Sequence, residues 1–130
     1  TNPDGYMQIG RAHFCNGFEP LVNASYGLKD GWLDLSTNTR AESGARWFTA
    51  RRRIRTVQFV LDSLSQTEGD TLHELMRSAG TVGEVFYVPQ PSDAGACQRY
   101  GFAGRFVELS ALDYPRVARR GLPVRLEEII

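Results

Sequence analysis

The stretch from Arg51 to Val88 restricts the fold more than any other part of this chain, because it reads as a strand, a capped helix and a second strand. Arg51-Arg-Arg-Ile-Arg-Thr-Val-Gln-Phe-Val-Leu61 opens basic and then alternates. Val57, Phe59 and Leu61 share one face, while Thr56, Gln58 and Asp62 share the other, interrupted by Val60. That is the pattern of a half-buried strand. Ser65-Gln-Thr-Glu68 has the spacing of a capping box, in which the Ser hydroxyl accepts from the Glu68 amide and the carboxylate reaches back to the Ser amide. A helix is therefore predicted from Gln66. Leu72, Leu75, Met76 and Ala79 give it one apolar stripe, and Gly80 supplies the positive φ that ends it. Glu84 to Val88 resumes a strand pattern, which Pro89 stops.

The 130 residues fit one domain, 1–130, with enough chain to bury a core without metal or disulfide staples. Thr1 rather than Met opens the sequence, which is compatible with a piece of a longer polypeptide. The formal net charge is zero, from 15 basic and 15 acidic residues, so the chain supplies no general attraction to a polyanion and a nucleic-acid partner is not expected. Of the basic residues only Lys29 is a lysine. A genomic bias toward Arg codons accounts for that skew, and a use of bidentate ion pairs at interfaces is the alternative. Cys15 and Cys97 are far apart and lie in no paired spacing; reduced thiols are the default expectation. No apolar run approaches the roughly 18 residues of a membrane span, and neither a signal peptide nor membrane association is expected.

Outside the central unit, Tyr6 to Cys15 alternates weakly and reads as a strand. Asn16 to Lys29 reads as a long connection of the kind that contacts a neighbour. Trp32 to Leu35 reads as a short strand, Ser36 to Gly44 as a polar turn, and Ala45 to Ala50 as another strand running toward Arg51 or as the same strand with a bulge. After a Gln90 to Gly95 loop, Gln98 to Leu109 is the longest β candidate, with Tyr100, Phe102 and Phe106 on one face. Asp113-Tyr-Pro115 is a turn. Leu122, Val124 and Leu126 alternate in a last strand, which Pro123 assigns to a sheet edge. Strands that do not alternate regularly with helices favour α+β. The expected fold is mostly β: an antiparallel β-barrel or sandwich with one flanking α-helix at about residues 66–79.

No catalytic, cofactor or metal motif stands out. His13, Cys15, His73 and Cys97 are the only soft ligands, and His13-x-Cys15 supplies two ligands where a tetrahedral site needs four. Glu68, Asp70 and Glu74 suit the helix dipole, and Glu74 an ion pair with Arg77, better than acid/base work. Ser65 has no nucleophile elbow around it, and Gly101-Phe-Ala-Gly104 lies inside a strand pattern rather than before a helix. The strongest charge feature is Arg51, Arg52, Arg53 and Arg55, with Arg40 and Arg46 upstream and Trp47 and Phe48 beside them. Aromatic and basic groups together would suit single-stranded nucleic acid. In a neutral chain they suit a solvated strand end or an ion-pairing face at a subunit contact better. In a regular strand Arg51, Arg53 and Arg55 continue the face of Val57, Phe59 and Leu61 and project beyond the core, with Glu127 and Glu128 as the acidic counterpart within one subunit or between subunits.

The basic strand Arg51 to Leu61, the helix start Leu64-Ser-Gln-Thr-Glu68, Leu72 to Gly80 and the strand Glu84 to Val88 together resemble the small tail proteins of long-tailed bacteriophages, meaning the tail-tube-like and distal tail (baseplate) proteins. The resemblance covers the last 80 or so residues in pattern; the N-terminal 50 match nothing nameable. It implies a barrel or sandwich with one helix, and a non-enzymatic structural subunit that assembles as a ring around the tail channel. It also implies contacts with itself and with other tail or baseplate proteins, no cofactor, assembly in the host cytoplasm, and a final place in the virion tail. Arg51, Arg52, Arg53, Arg55, Glu127, Glu128 and the Asn16 to Lys29 loop are the expected contact surfaces. Two other classes compete. One is a receptor- or carbohydrate-binding module at the tail tip using Trp32, Trp47 and the Gln90 to Gly95 loop. The other is a small cell-wall hydrolase, which lacks an evident nucleophile, metal or carboxylate constellation.

Overall fold

The computed structural model describes residues 17–24 and 27–129, with backbone alone at 115 and 116. The proposed strand from Tyr6 to Cys15 lies outside the described residues. The element order is β1 (Lys29–Asp34), β2 (Thr37–Arg40), β3 (Arg46–Thr49), β4 (Arg53–Leu64), α1 (Gln66–Ala79), β5 (Val85–Tyr87), α2 (Ala94–Tyr100), β6 (Phe102–Phe106), β7 (Asp113–Arg116) and β8 (Arg119–Glu128). The class is mostly-β α+β with an antiparallel sheet, as the sequence leads one to expect. The sheet is open: its strands run β1-β4-β8-β6-β5, β7 pairs with β8, and the ends do not close into a barrel.

β4 and β8 form the centre. Val57 lies opposite Leu126, Phe59 opposite Val124 and Leu61 opposite Leu122, so the alternating apolar residues of both strands fall on one face. The register shifts between Leu61 and Leu64, and this irregularity moves an even-numbered residue onto the face of the odd ones; Leu64 is as deeply buried as Val57. α1 covers that face with Leu72 and Met76, while Phe102 and Phe106 of β6 complete the cluster. Burying each such side chain contributes about 1.5–3 kcal/mol, which makes β4, β8 and α1 the stable centre.

The helix begins and ends where its sequence signals place it. Ser65 and Glu68 form the reciprocal capping box, and Gly80 closes the helix at φ 57° with its amide on the Met76 carbonyl, a conformation that disfavours any residue with a Cβ. Four other expectations are corrected. The first three residues of the Gln98 to Leu109 strand are helical: Asp93 accepts from the amides of Gly95 and Ala96 and starts α2, which takes in Tyr100, before β6 carries Phe102 and Phe106 into the core. Asp113 to Arg116 is a strand rather than a turn, because it pairs with β8 through a tight reversal at Val117 and Ala118. The polar Ser36 to Gly44 segment contains β2, whose Thr-Asn-Thr-Arg sequence has no apolar alternation to betray it. β8 is a central strand despite Pro123. Its pairing with β7 ends at Gly121 and with β6 begins at Leu126, so the proline falls in the interval between the two.

Candidate functional site

β1 and β4 run antiparallel from Lys29 opposite Gln58 to Asp34 opposite Arg53, and β2 and β3 resume the same ribbon with Thr37 opposite Thr49. Two residues intervene on the outgoing chain, Leu35 and Ser36, and three on the returning one, Ala50, Arg51 and Arg52. The unequal count breaks the ladder and sets β2–β3 apart as a separate two-stranded sheet. A polar clasp holds the break. Asp34 Oδ1 accepts from the Ser36 amide at 2.9 Å, Ser36 Oγ accepts from the Arg51 amide at 2.9 Å, and Arg53 Nε donates to Asp34 Oδ2 at 3.3 Å. The hydrogen bonds from Ser36, with help from Arg53, hold the Asp34 carboxyl below its ordinary value. At the far end Gly44, at φ 86°, completes the turn, with its amide on the Ala41 carbonyl.

Every residue of β2 and β3 is exposed. Trp47 is 67% and Phe48 72% exposed, and as neighbours on a strand they point to opposite faces. Each face of the ribbon therefore carries a large aromatic ring. Next to the turn, Arg40 lies directly opposite Arg46, a like-charge cross-strand pair that works against the ribbon in isolation. Neither forms an ion pair among the described residues.

The expected contact residues divide. Arg51 and Arg52 are exposed at the ribbon base beside Arg53, which is tied to Asp34. Arg55 turns inward. It continues the face of Val57 and Phe59, and instead of projecting past the core it is covered by the end of α2: its Nη1 donates to the carbonyls of Arg99 at 3.1 Å and Gly101 at 3.2 Å, and its guanidinium lies over the Trp32 ring at 5.3 Å. Glu128 answers Arg55 at the backbone, Oε2 accepting from the Arg55 amide at 3.0 Å. Glu127 lies opposite Thr56 on one side and Arg105 on the other. The structure thus joins Arg55 to Glu128, and joins Arg53 to Asp34 rather than to the acidic C-terminal pair. Asp34, Ser36 and the Arg40–Arg46 pair were not singled out as a unit from sequence; two arginines flanking Ala-Glu-Ser-Gly-Ala were the available signal.

A second feature lies on α1. Asp70, Glu74 and Ser78 follow one another at steps of four, with Thr71 and Leu75 beside them, and Gly17 and Phe18 form the facing wall of an open groove of about 640 Å³. Phe18 and Leu75 also pack on the core, so the groove has an apolar floor and an acidic rim. Close by, the Leu21 amide donates to Glu68 Oε1 at 2.7 Å and ties this segment to the first turn of α1. That bond, followed by those from the Ser65 amide and hydroxyl, holds the Glu68 carboxyl below its usual range. Glu74 pairs with Arg77, as its spacing predicts.

Among the described residues no three His, Cys, Asp or Glu side chains are placed to hold a metal ion. His13 and Cys15 lie outside them; the Cys97 thiol donates to the Gln90 carbonyl at 3.0 Å. Among the described residues no helix is long and apolar enough to cross a membrane. Comparison with protein-family models, curated proteins and solved structures found no match.

Proposed function

We propose that this chain is a non-enzymatic structural subunit that assembles with copies of itself into a ring, of the kind from which phage tails and baseplates are built. The observation that carries the reading is the β2–β3 ribbon. A two-stranded hairpin is at best marginally stable alone, and this one sets a tryptophan and a phenylalanine in solvent on opposite faces with two arginines paired against each other beyond them. Those costs are offset when another surface covers the aromatics and supplies negative charge. The resemblance of Arg51 to Val88 to phage tail proteins supplies the biological setting, a virion tail assembled in the host cytoplasm with other tail or baseplate proteins as neighbours.

The carbohydrate-binding alternative draws less support. One side of Trp32 is taken by Arg55, and Trp47 belongs to the separate ribbon, so the two indoles do not belong to one sheet surface.

Sedimentation of the purified protein over a range of concentrations, with electron microscopy of the heaviest species, tests the reading. Rings of defined mass are expected. A monodisperse monomer at the highest attainable concentration overturns it.

A further inference from the structure

We infer that the β2–β3 ribbon of one copy docks into the groove between α1 and residues 17–18 of the next copy. The inference rests on the self-assembly reading and specifies its contact. Three observations point to a second copy as the occupant. The first is charge. From Thr37 to Arg53 the chain carries Arg40, Arg46, Arg51, Arg52 and Arg53 against the single Glu42, and only Arg53 has an acidic partner among the described residues. The groove carries Asp70 and Glu74 on α1; Glu74 is paired with Arg77, and Asp70, which makes no ion pair among the described residues, supplies the uncompensated negative charge.

The second observation is shape and polarity. The ribbon offers aromatic side chains standing clear of the body, and the groove offers an apolar floor of Phe18 and Leu75 within about 640 Å³, a size that takes a large side chain with its flanking backbone. An aromatic anchor flanked by arginines entering an apolar slot with Asp70 and Glu74 along its α1 side matches on both counts. The third is symmetry. Ribbon and groove are different surfaces of one chain, so their contact is head-to-tail and repeats from copy to copy, which is how a ring is closed. The like-charged Arg40–Arg46 pair, which has no acidic partner among the described residues, gains counter-charge on docking.

The test uses the full chain in two variants that alter exposed positions only. Trp47→Ala with Phe48→Ala disables the ribbon; Asp70→Arg with Thr71→Arg disables the groove. Unchanged thermal unfolding of each shows that neither has lost its fold. Each variant alone is expected to remain monomeric. Mixed, they should form a one-to-one complex and stop, because the mixture contains one intact ribbon and one intact groove. A photo-crosslinking residue at position 48 of the wild-type background should capture α1 of a second copy. Wild-type assembly that persists in either variant, a mixture that stays monomeric, or capture of residues 1–16 or of β1 instead of α1 overturns the docking while leaving self-assembly standing. A monomeric wild type overturns both.

Discussion

Arg55 shows how one residue changes meaning between sequence and structure. In sequence it closes a basic run and reads as surface; in the fold its two hydrogen bonds satisfy carbonyls at the end of α2, which a helix C-terminus leaves without intrahelical partners. The planar guanidinium makes both bonds while stacked on Trp32, a geometry that an ammonium group does not reproduce. Gly104 is a second case. It sits between Phe102 and Phe106 on the core face of β6, and a Cβ there would meet the Glu127 carbonyl oxygen at 2.5 Å and Phe102 Cε2 at 2.8 Å. Neither neighbour has room to withdraw, since one is ladder backbone and the other a buried ring tilted against Tyr87. Gly104→Ala is therefore expected to cost about 1–3 kcal/mol through overpacking. Thermal denaturation reads this as a lower Tm, whereas Gly31→Ala, with open space around its Cβ, should leave Tm close to that of the wild type.

At the scale of elements, α1 ties the N-terminal segment to the core through its first turn. Ser65→Ala removes the side-chain cap and is expected to cost about 1 kcal/mol. Glu68 adds a pH dependence. Its folded-state carboxyl titrates below the ordinary 4.5, chiefly because the Leu21 and Ser65 amides donate to the carboxylate, so its stabilisation is complete above the unfolded value and is lost as pH falls through the folded one. Glu68→Gln should accordingly flatten the acid limb of a stability-versus-pH curve, and an unaltered limb counts against the assignment. α1 and its cap were legible in sequence because the capping box, the apolar stripe and Gly80 are local signals that agree with one another. The alternation of Leu122, Val124 and Leu126 was legible for the same reason. α2 and β2 were not. α2 is seven residues with none buried, and β2 is four exposed residues, so neither leaves a hydrophobic period; what defines them is Asp93 as a cap and Thr49, Phe48, Trp47 and Arg46 as partners. The open sheet was not legible either, because alternation fixes which face of a strand is buried and not whether the end strands meet. At the candidate site the basic run was visible as a charge feature, but the division between inward Arg55 and outward Arg51 and Arg52 depends on where α2 ends.

For the whole molecule, burial is concentrated where β4, β8 and α1 meet, and it falls away through β1 to the β2–β3 ribbon, which buries none of its residues. A molecule arranged this way should not open uniformly. Amides of Val57 to Leu61, Leu122 and Val124 to Leu126, on strands paired with each other over the core, are expected to exchange with solvent only on global unfolding. Those of the ribbon, with the polar clasp at one end and a like-charge pair near the other, should exchange by local opening orders of magnitude faster in the separated subunit. The proposed contact would cover the ribbon and the α1 groove and leave the core amides already at their limit, so hydrogen exchange before and after assembly should differ most from Thr37 to Thr49 and along α1 from Asp70 to Ser78. Because the proposed cover is partly electrostatic and lies at exposed arginines, raising the salt concentration should weaken this protection before it affects the core. Protection that grows instead along β1, with the ribbon amides unchanged, would place the contact on the sheet end and release the ribbon from any role in it.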